Sequence, residues 1–266
     1  MATTCPIGFD TERLRDQVRA TYDRVALEPD GKFHFHRGVE YAHRYLGYDL
    51  ESLQALPATC TARFAGVGNP HRVGPIWPGE CVLDHACGAG TDLLIAAHQV
   101  GPGGKAIGVD MTPGMRACAV EAAREAGLAP IVDIRAGLFE DLPVEAASVD
   151  VVISNGVVNL SPEKLQVFRE IHRVLKPGGR LYLADAVVER ELSMEARSNP
   201  DLWAACIAGA LVKYEFEMLA RAAGLIDART TEHFDCFRDT SAEAKVAGDL
   251  KVHGVNFFAR KPENAG

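Results

Sequence analysis

The stretch from Glu80 to Asp110, ECVLDHACGAGTDLLIAAHQVGPGGKAIGVD, constrains this chain more than any other. It opens on a short apolar run ending in Asp84 and passes at once into Ala86-Cys87-Gly88-Ala89-Gly90. Apolar residues at helical spacing follow (Leu93, Leu94, Ala97, Val100), then a Gly/Pro turn and a second apolar run ending in Asp110. Strand, glycine loop, helix and strand make one βαβ unit, which places a ligand site at the carboxyl ends of two parallel strands. The expected ligand carries a nucleoside, and Asp110 is placed to accept from its ribose hydroxyls.

The same rhythm continues. Thr112-Pro113 predicts a helix start, with Thr112 as N-cap, for a helix over Gly114–Gly127. Strands are expected at Ile131–Ala136, at Val149–Ser154, whose unbroken apolar run suits burial on both faces, and at Arg180–Val188. Ser161-Pro162 predicts another helix start, and Lys176-Pro177-Gly178-Gly179 its end. In the tail, helices are expected at Ala196–Leu211, Tyr214–Ala223 and Ser241–Leu250, and strands at Asp227–Phe237 and Val255–Arg260. Asp10–Ala26, Tyr41–Leu46 and Leu50–Leu56 have helical spacing; Phe64–Pro70 carries too many glycines for an element interior and reads as a loop. The organisation expected is an N-terminal cap over residues 1–75 and an α/β ligand-binding domain over 76–266.

A net charge of −8 without a concentration of Lys and Arg argues against nucleic acid and anionic membranes as partners. No apolar run is long enough to span a bilayer and no stretch reads as a secretory leader, so a cytoplasmic location is expected. The seven cysteines (Cys5, Cys60, Cys81, Cys87, Cys118, Cys206, Cys236) are scattered and form no CxxC pair. That pattern suits neither a disulfide scaffold nor a zinc knuckle, and no metal is expected.

Two nucleoside ligands compete for the glycine loop: a dinucleotide and S-adenosylmethionine (SAM). A dinucleotide fingerprint needs a third small residue where this chain has Leu93, so a pyrophosphate is disfavoured. DHACGAGTD resembles motif I of the class I SAM-dependent methyltransferases, GVDMTPGM their motif II, GLFEDLP their adenine-side segment and SVDVVISNGVVNL their motif IV. REIHRVLKPGGRLYLAD is similar to the helix and strand that follow. Within that superfamily VGPGGKAIGVDMTPGM, DVVISNGVVNLSPEK and DLWAACIAGAL look most like the arsenite methyltransferases and their unassigned relatives.

The resemblance implies a Rossmann-like α/β fold, with a mostly parallel seven-stranded sheet, an antiparallel edge and a helical cap. It implies SAM as cofactor and S-adenosylhomocysteine as product. Asp84, Ala86, Cys87, Gly88 and Gly90 match the positions around the methionine end of SAM. Asp110 matches the ribose acid, Met111 its apolar neighbour, Leu138 and Phe139 the adenine edge, and Asn155 and Gly156 the segment after strand four. Ala86 replaces a usual glycine. Leu138 replaces an acid that commonly accepts from the adenine amine, which leaves a backbone carbonyl or Glu140 to do so.

The arsenite enzymes hold As(III) through three thiolates, and the matching positions here are Val67, Gly156 and Cys206. One soft donor of three makes a weak As(III) site. A different small-molecule acceptor is therefore expected, its accepting atom open among O, N, S and C; arsenite methylation and a non-catalytic SAM sensor are the alternatives. Val67, Asn69, Arg37 and Cys206 are the candidates for acceptor binding. His34, His36 and Cys206 are the candidates for catalysis, the histidines as general base if the FHFHRG patch closes over the site. The bland alternative for that patch is a half-buried strand. His172 is expected to be structural, and Thr91 and Asp92 are expected to do no more than cap their helix. A monomer or homodimer is expected.

Overall fold

The computed structural model describes residues 10–33, 35–190, 209–238 and 251–263. The expected helix over 241–250, all of the one over 196–211 except its last residues, and the candidates His34 and Cys206 lie outside these residues.

Five parallel strands carry the site: β1 (Cys81–Asp84), β2 (Lys105–Asp110), β3 (Val132–Ala136), β4 (Val149–Asn155) and β5 (Leu175–Val188). They lie in the order β3-β2-β1-β4-β5, and the sheet continues through β8 (Val252–Arg260) to β7 (Ile226–Phe234). Both β5 and β7 pair antiparallel with β8, so the last strand of the chain inserts one place inside the edge. A short eighth strand, β6 (Leu211–Val212), pairs with the end of β5, so Leu211 is strand rather than helix. Strand order reverses at β1 and β4, which places a crevice at their carboxyl ends.

The helices are α1 (Thr11–Leu27), α2 (Gly38–Leu46), α3 (Leu50–Gln54), α4 (Ala58–Thr61), α5 (Thr91–Val100), α6 (Pro113–Glu125), α7 (Lys164–Val174) and α8 (Lys213–Ala222). Gly90, in the left-handed region at φ 95°, turns the chain from the glycine loop into α5. Leu93 packs fully buried against β2 because Gly108 leaves room: a Cβ there would lie 2.6 Å from Leu93 and 2.8 Å from the Cys87 sulfur. Close helix–strand approach is obtained here by a glycine on the strand rather than by a third small residue on the loop.

Three local expectations shift. Thr112 makes no side-chain cap on α6; the Gly114 amide donates instead to Asp23 of α1 at 3.2 Å, so the N-terminal helix caps a helix of the sheet domain. Ser161-Pro162 precedes α7 rather than starting it, and the Ser161 hydroxyl accepts from the Glu163 amide at 3.0 Å. Lys176–Gly179 does not separate helix from strand. It is a bulge within β5, where register passes from Val149↔Leu175 to Val151↔Arg180.

A Gly108→Ala variant therefore overpacks the α5–β2 seam. Urea unfolding is expected to show a loss of about 1–3 kcal/mol at unchanged m value.

Candidate active site

An open pocket lies over the carboxyl ends of β1, β2 and β4. Its floor is the segment Asp84–Asp92, its far wall Asp110–Thr112 and Gly137–Glu140, and its roof comes from Arg15, Val18 and Tyr22 of α1 and from Phe64–Gly66. Asp84, Ala86, Cys87, Gly88, Gly90, Asp110, Met111, Leu138, Phe139 and Asn155 all line it.

The Asp110 carboxylate is oriented by two backbone donors, Gly88 at 2.9 Å and Thr112 at 2.7 Å, and so ties the first βα turn to the second. Lone pairs remain on both oxygens for hydroxyls of a bound ligand. Burial raises the Asp110 pKa against the pull of these hydrogen bonds. Asp84 is pushed well above the usual carboxylate range, first by burial and then by the neighbouring charge of Asp92. Glu140 accepts from the Ser161 hydroxyl at 2.8 Å and lies 3.7 Å from Arg15, so α1 also reaches the adenine-side segment.

The roof is held by one amide. Asn155 Oδ1 accepts from the Val67 and Gly68 amides at 2.9 and 3.3 Å, while its Nδ2 lies 3.0 Å from the Tyr48 hydroxyl, the Gly68 carbonyl and Asp92 Oδ2. The loop descends so closely that a Cβ on Gly66 would sit 2.3 Å from that nitrogen. Tyr48 donates to Asp92 Oδ1 at 2.6 Å, and His71 Nε2 lies 3.2 Å from the same oxygen. Asp92 makes no cap on α5; it is a buried hub at the pocket wall. Sequence reasoning placed Asn155 at the site but missed its partners Tyr48, His71 and Asp92, because they come from three other segments and the only local signal for them was an acid one residue into a helix.

Other candidates fall elsewhere. The Arg37 guanidinium donates to the carbonyls of Pro29 and, at 2.6 Å, Gly31, and it covers the Phe33 ring at 4.2 Å. It does not line the pocket, which corrects the expectation that it faces an acceptor. His36 also lies off the pocket lining: it stacks on Tyr41 and Tyr45, and its Nε2 is 2.5 Å from the Arg238 carbonyl. The described part of the patch is neither a strand nor a base aimed at the pocket. Asn69 is taken up by the loop: its amide side chain accepts from the His71 amide at 3.2 Å and donates to the Leu46 carbonyl at 3.3 Å. Val67 and Gly156 meet each other: a Cβ on Gly156 would lie 3.5 Å from a Val67 methyl. The two positions matched to arsenic thiols are thus adjacent, and neither carries a donor atom. Among the described cysteines, Cys60 is raised to about 11 by burial, and Cys87 is pushed well up by burial beside Asp84 and Asp110. Neither is disposed to be a thiolate. Among the described residues no cluster of metal-ligating side chains converges, and no helix is long and apolar enough to cross a membrane.

A doubly wound sheet, a glycine loop entering α5 and an acid at the end of β2 define the class I SAM-dependent methyltransferase fold. The chain belongs to the methyltransferase domain family, which matches residues 77–230. It is 42% identical to the arsenite methyltransferase of Halobacterium salinarum over 81% of this chain and 58% of that protein. It is 32% identical to the mouse arsenite methyltransferase over 93% of this chain and 67% of that protein. Among solved structures it is similar to an arsenic (III) S-adenosylmethionine methyltransferase from Chlamydomonas reinhardtii, with a TM-score of 0.69 and 33% identity over 81% of this chain and 73% of that one. The chain thus spans little more than half the length of its halobacterial relative.

SAM is the cofactor that this membership assigns to the pocket, and the residues present fit it. A Cβ on Gly88 would meet no atom within 4 Å, so the loop presents bare backbone to open space. Asp84 and Asp110, whose charges burial penalises, would hold an ammonium and ribose hydroxyls.

The raised Asp84 carboxyl gives a sign to test. Its proton is held in the folded state where the unfolded chain has lost it, so its stability contribution is full at low pH and is lost as pH rises through the raised value. A bound cation reverses that loss. The gain in melting temperature on adding SAM is expected to grow as pH rises from the ordinary carboxylate range through the raised Asp84 value, read by scanning fluorimetry across a pH series.

Proposed function

We propose that this chain is a SAM-dependent methyltransferase acting on a small organic acceptor, with residues 1–75 serving as a cap over a SAM-binding domain of residues 76–266. The observation that carries the donor half is the Asp110 carboxylate, held by two backbone amides between the glycine loop and the second βα turn. In this reading Asp110 holds the ribose hydroxyls, Asp84 the amino group, and Leu138 and Phe139 the adenine. Gly88 and Gly90 let the methionine end approach the backbone. When bound, SAM supplies an electrophilic methyl group. The protein's part is alignment and exclusion of water under the α1 and Phe64–Gly66 roof.

The apposition of Val67 and Gly156, without a thiol on either, supports an acceptor other than arsenic. Arsenite methylation is the second reading, favoured by the 42% identity to an arsenite methyltransferase. A cytoplasmic location is supported by the thiol state of Cys60, Cys81, Cys87 and Cys118. The chain is taken to act as a monomer or homodimer without nucleic-acid or membrane partners.

Calorimetry is expected to show SAM binding in the micromolar range, and Asp110→Ala to weaken it by about 100-fold, as for loss of a charge-assisted hydrogen-bond pair. Unchanged affinity would remove the ribose contact. Incubation with methyl-labelled SAM, a metabolite panel and, separately, arsenite with thiol is expected to label an organic product and leave arsenic unmethylated by mass spectrometry. Methylated arsenicals would select the second reading; no label in any product would select a SAM-binding sensor.

A further inference from the structure

We propose that Asp92 is the carboxylate facing the methyl-transfer position, where it recognises a nitrogen or oxygen acceptor and takes its proton; this deepens the methyltransferase reading and rests on it. The pocket divides into regions. Asp110, Leu138 and Phe139 line the nucleoside side, and Asp84 and Gly88 the adjoining floor. Asp92 and Asn155 line the pocket together with Phe64–Gly66 and Val157, and the Val67 amide, which donates to Asn155 at 2.9 Å, sets them next to where Val67 meets Gly156. That is the side left for an acceptor.

Asp92 is built as a charged group rather than as a cap. Tyr48 and His71 address Oδ1, and Asn155 donates to Oδ2. Three donors do not exhaust a carboxylate's roughly four lone-pair sites. The side chain is 9% exposed at a pocket wall, so any ligand that reaches it is largely desolvated. Tyr48 is not the base: burial and the Asp92 charge push its pKa well above the ordinary phenol value, so its proton stays on the phenol oxygen and is donated to Asp92 as a hydrogen bond. His71 Nδ1 is buried with no hydrogen-bond partner, so the ring's one polar contact is the one its Nε2 makes to Asp92.

In the step proposed, the lone pair of an N–H or O–H acceptor forms a bond to the methyl carbon, and the carbon–sulfur bonding pair stays on sulfur. Asp92 Oδ2 takes the acceptor proton. One positive and one negative charge disappear together in a poorly solvated site, so the carboxylate is worth more in the transition state than it would be in water. A carboxylate that takes a proton from the attacking atom suits small amines and hydroxyl compounds as the substrate class.

The test uses two SAM analogues on the full chain. S-adenosylhomocysteine has a neutral sulfur; sinefungin places an ammonium where the methyl sulfonium lies. Wild type is expected to bind sinefungin about tenfold or more tighter than S-adenosylhomocysteine, as for a facing charge pair. Asp92→Asn and Asp92→Ser are expected to hold S-adenosylhomocysteine within about threefold of wild type while the sinefungin preference falls below about threefold. An undiminished preference in either variant, no preference in wild type, or loss of S-adenosylhomocysteine binding in both variants would overturn the proposal. Failure of wild type to bind either analogue would count against the methyltransferase reading itself. With an acceptor from the labelled-methyl panel, Asp92→Asn is expected to lower kcat by about 10²–10⁴ at unchanged KM for SAM; a kcat within about threefold of wild type removes the proton-accepting role.

Discussion

The amide of Asn155 is the joint on which the site depends. It stands at the end of β4 and reaches the loop at Val67 and Gly68, the hydroxyl of Tyr48 after α2, and Asp92 on α5. Three chain segments that share no local periodicity are thereby locked to one strand end. The contacts are part-buried, and a buried polar group without its partner costs about 1–3 kcal/mol. The glycine at position 66 is a consequence: with the amide engaged in this way, the loop backbone lies where any side chain would collide with it.

The second constraint is charge. Asp84 and Asp92 are buried within one pocket, and Asp110 closes its far side. Burial raises the pKa of Asp84 and Asp110, and Asp92 adds to the first. Carboxylates held in this way are destabilising for the empty pocket and favourable for a ligand that carries positive charge. The electrostatic character of the site is therefore that of a receptor for a sulfonium and an ammonium. It follows from backbone geometry, since strand ends and a glycine loop set the carboxylates at one crevice.

A fold similar to that of the arsenic methyltransferase from Chlamydomonas reinhardtii surrounds a pair of positions, Val67 and Gly156, that carry no thiol. The two are brought together beside the hydrogen-bonded group of Tyr48, His71, Asp92 and Asn155, of which Asp92 and Asn155 line the pocket.

Much of the sheet was legible in the chain, because each βα unit announces itself through an apolar run, a turn residue and a helical stripe. Strands β1 to β5 and the glycine loop are of this kind, and so are the pocket residues from Asp84 to Asp110. The bulge at Lys176–Gly179 and the Asp23 cap on α6 were not legible, since pairing register and long-range hydrogen bonds leave no periodicity. The histidine patch shows the limit most clearly. Alternating Phe and His suggested a polar face turned to a ligand, yet Arg37 satisfies backbone carbonyls and His36 stacks on tyrosines. By itself the sequence made the donor side legible, because most of the positions that match SAM-binding residues lie in one contiguous βαβ segment whose spacing is visible residue by residue. Only the tertiary structure decided the acceptor side, because Tyr48, His71, Asp92 and Asn155 become neighbours through packing of a roof on a sheet.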